Sequence, residues 1–151
     1  AVYHERPLRI VYVSSRQAID PGPTVPGYVI SNWAVLQLPK VLSVNLGKSA
    51  GLVSACSVLY PFVRTGMTDS YADNPRVFGR WQPRMLETYE AAEAFMQLLA
   101  LPAEETNQGM FEVLVEEDAS KGEKGVKVTW KQVKFNVSED TLASTPPLTF
   151  G

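Results

Sequence analysis

The sequence predicts an α/β fold, an open sheet of parallel strands joined by helices with an antiparallel hairpin appended at its end. Three observations carry this. Short β-branched runs alternate with stretches of helical periodicity in the order strand, helix, strand, helix, strand. The first run does not alternate cleanly between apolar and polar residues, which marks a buried, parallel strand. The last two runs are separated only by a short charged turn, which suits a hairpin.

Residues 1–7 are polar, end in Pro7 and read as an N-terminal arm, with His4 solvated. Leu8–Ser15 (LRIVYVSS) reads as a buried, parallel strand. It is bounded by Pro7 and by a loop over Ala18–Gly27 that holds Pro21, Gly22, Pro23 and Pro26. Tyr28–Gly47 has apolar residues at three-to-four spacing (Ile30, Trp33 or Ala34, Val41, Val44), with Gly47 suited to the C-terminal cap. Pro39 lacks an amide donor, so this helix should kink or split near Leu36.

Gly51–Tyr60 reads as the second buried strand, closed by Pro61 and containing Cys56 as a small buried hydrophobe. Arg64–Arg80 is polar and turn-rich and reads as a surface loop with room for a short helix. Pro83–Leu101 reads as the second long helix, with Pro83 at its first position and Pro102 stopping it. Its predicted stripe, serving a core or an interface, runs through Leu86, Tyr89, Ala92 or Glu93, Met96 and Leu99. Gly109–Glu117 is the third strand and Val126–Val137 the fourth. A phase change between Trp130 and Val133 predicts a β-bulge. The chain thus divides into an arm (1–7), an α/β domain (8–117), a hairpin extension (118–137) and a Ser/Thr/Pro-rich tail (138–151).

Composition removes several classes of function. Hydrophobic residues make up 45% of the 151 and charged residues 20%, as in a globular domain rather than a disordered chain. Fourteen basic against sixteen acidic residues leave no global positive field for nucleic acid. No apolar run is long enough for a transmembrane segment. One cysteine and one histidine exclude a disulfide framework within the chain and most zinc schemes. Lys121, Lys124, Lys127, Lys131 and Lys134 make the hairpin locally basic, offset by Glu116, Glu117, Asp118 and Glu123. Ala1 fits equally the removal of a targeting peptide or of an initiator methionine. The compartment stays open, with an intracellular or organellar one favoured over secretion.

One constellation carries more. The run Ile10–Ser15 (IVYVSS) ends in a serine pair, and Ser15 stands thirteen residues before Tyr28. Tyr28 opens a helix reading Tyr28-Val29-Ile30-Ser31-Asn32-Trp33-Ala34. About thirty-two residues after Tyr28 comes Tyr60-Pro61-Phe62-Val63-Arg64-Thr65. This arrangement resembles the C-terminal half of the short-chain dehydrogenase/reductase family, over about residues 8–115. The resemblance implies a partial Rossmann-like fold, a truncated doubly wound sheet. It places Ser15 and Tyr28 at the family's catalytic positions. It also places Asn32 and Thr65 at positions that bind the nicotinamide nucleotide.

The departures from the family pattern decide the expected function. The family's lysine, four residues after the tyrosine, is Asn32 here. A lysine there favours the tyrosinate by its charge, whereas an amide brings only a dipole. No G-x-G-x-x-G occurs; Gly22/Gly27 and Gly122/Gly125 have the wrong spacing and context to cradle a pyrophosphate. In the family the nucleotide-binding half precedes the serine strand, and only seven residues precede Leu8 here. If that half is missing, strand Leu8–Ser15 has lost a neighbour and its backbone forms an open edge.

The expectation is therefore a non-catalytic interaction or structural subunit of a larger assembly. Ser15, Tyr28, Asn32 and Thr65 are then vestigial, and the chain holds no cofactor. A protein partner or a second copy covers the Leu8–Ser15 edge. The alternative is an NAD(P)-dependent oxidoreductase whose nucleotide-binding half comes from another chain, or a cofactor-free reaction with Tyr28 as acid. A small-molecule carrier with a cleft at Tyr28, Tyr60 and Phe62 is a third reading.

Overall fold

The structure, a computed structural model, describes residues 8–21, 25–46, 53–69, 74, 84–118 and 123–131. Within these the chain forms an open four-stranded sheet of order β1-β2-β3-β4. The strands are β1 (Leu8–Ser15), β2 (Val53–Tyr60), β3 (Met110–Asp118) and β4 (Glu123–Trp130). β1, β2 and β3 run parallel, and β3 and β4 form an antiparallel hairpin. This is the predicted α/β class, consistent with a partial Rossmann-like fold.

The helices follow local chemistry. α1 (Pro26–Val35) starts with proline at its first position, where no amide donor is needed. It gives way at Leu36 and Gln37 to α2 (Leu38–Leu46), whose first turn contains Pro39. The predicted split occurs there because the proline has no amide to offer a fourth-preceding carbonyl. Gly47 lies outside the described residues. A short α3 (Gly66–Asp69) stands in the predicted surface loop.

α4 (Thr88–Ala100) starts later than the predicted Pro83, which lies outside the described residues. Glu87 and Glu90 close a capping box, with Glu90 Oε2 accepting from the Glu87 amide at 2.6 Å. Leu86 is not helical. It bridges Val63 in extended conformation, and its amide donates to the Phe62 carbonyl at 2.9 Å. The predicted stripe is also displaced: Tyr89 and Met96 are 70% and 63% exposed. The buried line is Glu90, Ala94 and Leu98, each one helical turn apart. A line containing alanine lets the helix axis approach the sheet, and the larger Tyr89 and Met96 turn outward.

After Pro102 comes α5 (Ala103–Thr106), then a tight turn into β3. Gln108 takes a left-handed φ of 59°. Gly109 has no room for a side chain: a Cβ would stand 2.6 Å from the Phe111 ring and 2.8 Å from the Thr106 carbonyl oxygen.

The register assigns the faces. Ser15 aligns with Tyr60, Leu59 with Glu112, and Glu112 with Thr129. The main core lies between the sheet and α4 and joins Cys56, Val58, Leu86, Ala94, Leu98, Phe111, Val113 and Val126. A smaller cluster on the other face joins Ala18, Leu36 and Leu59, with Trp33 and Met110 against it. The helices thus lie on opposite faces although β1, β2 and β3 follow one another in one direction. The two crossovers therefore have opposite hands, against the general preference for right-handed ones. That preference comes from strand twist feeding a connection back onto the sheet; the long reach from Pro61 to Glu87 relaxes it.

Two strand expectations also change. β1 is not buried: Leu8 and Val13 are 62% and 60% exposed, and only Ser14 and Ser15 are buried. It stands at the sheet edge, where a helix on one side covers part of its length. β4 starts at Glu123, three residues before the predicted Val126, and ends at Trp130. The predicted bulge extends beyond the described residues, as do the arm and the tail.

Candidate functional site

The four positions singled out by the sequence cluster only in part. Ser15 ends β1, and its Oγ accepts from the Gln17 amide at 3.2 Å, capping the 3₁₀ turn Arg16–Ala18. Its neighbour Ser14 makes the contact to α1: Ser14 Oγ donates to the Asn32 carbonyl at 3.0 Å, with Asn32 Oδ1 at 3.4 Å. Asn32 Nδ2 donates back to the Tyr28 carbonyl at 3.0 Å, which also receives the Ser31 hydroxyl at 3.0 Å.

Asn32 is therefore engaged at both polar ends, its Nδ2 within α1 and its carbonyl and Oδ1 toward Ser14 of β1. Tyr28 sits in the first turn of α1 and is 42% exposed. Among the described residues no hydrogen bond joins Tyr28 to Ser15, or either of them to Thr65. Thr65 is exposed and precedes α3, with its amide donating to Thr68 Oγ1 at 2.9 Å.

Tyr60 lies on the α4 face, where its hydroxyl donates to the Ala91 carbonyl at 2.9 Å. Burial there pushes the Tyr60 phenol above its usual range. Cys56 shares that face and is fully buried; burial raises its thiol pKa, against a smaller downward pull from Arg9.

Asn32 spends its amide on Tyr28 and Ser14 rather than presenting it to a ribose. The sequence contains no glycine-rich turn of the required spacing to receive a pyrophosphate. Among the described residues no group of three histidine, cysteine or acidic side chains is placed to hold a metal. No helix among them is long and apolar enough to cross a membrane.

Polar residues that sequence reasoning missed organise the sheet instead. Arg9 reaches from β1 to the end of α4 and donates to the carbonyls of Leu98 (2.7 Å), Leu99 (2.8 Å) and Leu101 (3.0 Å). It also donates to Thr106 Oγ1 at 3.1 Å, so one guanidinium caps the helix C-terminus and the start of the next turn. Glu112 is buried on the opposite face, between Arg16 Nε at 3.3 Å and Lys131 Nζ at 3.0 Å. Both cations are partly exposed, so water screens much of their attraction. Their geometric effect is to tie the ends of β1 and β4 to the middle of the sheet. Lys127 pairs with Glu116 on the solvent side of the hairpin at 3.3 Å.

The two edges of the sheet differ sharply. At β4, Gln97 of α4 acts as a short strand: its Nε2 donates to the Val126 carbonyl at 3.1 Å, and its Oε1 accepts from the Val128 amide at 3.3 Å. The Val126 carbonyl and the Val128 amide of that edge are thereby satisfied, and the exposed Lys127 adds charge beside them. β1 has no such protection. It contains no proline and no lysine, and it pairs with β2 over its whole length without a bulge. Its single charge, Arg9, is turned away to α4. Among the described residues nothing bonds to its outer edge.

The sequence signal for β4's guard is faint, since a glutamine in a helix says nothing of its partner. The signal for β1 was the run LRIVYVSS itself.

No protein-family model matches the chain, and no curated protein matches it.

Proposed function

We propose that this chain is a non-catalytic interaction or structural subunit, derived from the short-chain dehydrogenase/reductase family, that joins a larger assembly through the outer edge of β1. The observation that carries the reading is the contrast between the edges. On β4 the Gln97 carboxamide takes up the Val126 carbonyl and the Val128 amide, whereas among the described residues nothing bonds to the outer edge of β1, beside the exposed Leu8 and Val13. An unbulged edge whose single charge is turned away is a template for another strand.

Descent from that family is supported by the order β1-β2-β3 of parallel strands with helices on both faces. It is also supported by the Ser15–Tyr28 spacing. The non-catalytic reading is supported by the engagement of Asn32 with Tyr28 and Ser14.

Amide hydrogen exchange on the chain, diluted and then in its native assembly, tests the edge. Alternate amides of β1 should exchange as open amides when dilute and become protected in the assembly. Protection of the whole strand in the dilute monomer would overturn the reading. Calorimetric titration with a nicotinamide dinucleotide tests the absence of catalysis. No saturable heat is expected, and tight binding by this chain unaided would return Ser15 and Tyr28 to an enzymatic role.

A further inference from the structure

We draw no further inference here: the strongest candidate, the apolar surface patch along α1 and α2 where Ile30, Val41 and Val44 stand exposed, carries nothing, because among the described residues nothing shows what covers it.

Discussion

Asn32 shows how one side chain can serve a helix and the strand beside it. Its amide donates to the carbonyl one turn back and presents its oxygen near Ser14, so a side chain that the resemblance assigns to ligand binding joins two elements instead. Asn32→Ala should destabilise the fold by about 1 kcal/mol, the usual net value of an intramolecular hydrogen bond. Urea denaturation followed by tryptophan fluorescence measures it, and an unchanged midpoint would show that the contact contributes nothing. Tyr60 gives a pH signature. Burial raises its folded pKa above the unfolded value of about 10. The stability it contributes is complete below that pH and is lost as pH rises through the folded value. Wild type should therefore lose stability more steeply than Tyr60→Phe above about pH 10, in thermal melts across the alkaline range.

At the scale of elements, long-range polar contacts decide how helices meet the sheet. α4 ends against Arg9, and the planar fork of that guanidinium reaches several carbonyls together. Arg9→Lys keeps the charge but loses the fork, and should cost about 1–2 kcal/mol; Arg9→Met should cost about 2–3 kcal/mol because partly buried carbonyls lose a charged donor. Chemical denaturation of the pair checks the order, and equal losses would mean that charge alone matters.

The sequence made several element features legible. The proline in α2 announced the break after α1, and the charged turn announced the hairpin. It did not reveal the start of α4, because the Glu87–Glu90 capping box competes with an equally plausible proline start upstream. Nor did it identify the buried line of that helix. Tyr89 and Met96 satisfy the same periodicity as Glu90, Ala94 and Leu98, and only the fit of alanine against the sheet separates them.

At the scale of the molecule, the described residues form one large core and one small one on opposite faces of the sheet. The large one is shared by β2, β3, β4 and α4, so the hairpin is packed into it through Val126 and Val128. Leu98 is fully buried at its centre. Leu98→Ala should cost about 2–5 kcal/mol, a large part of the roughly 5–15 kcal/mol that holds a domain together. Calorimetry should show a much lower melting temperature. A loss below 1 kcal/mol would mean that α4 is peripheral to the fold.

The amino-acid order alone determined the α/β class, the sequence of strands and helices, the break at Pro39 and the burial of Cys56, because these depend on local periodicity and backbone chemistry. Tertiary structure alone decided that the crossovers differ in hand, that Ser14 rather than Ser15 meets α1, and that Gln97 bonds the β4 edge while among the described residues nothing bonds to the outer edge of β1. Those outcomes depend on which groups meet across long stretches of chain, and one-dimensional spacing carries no record of such encounters.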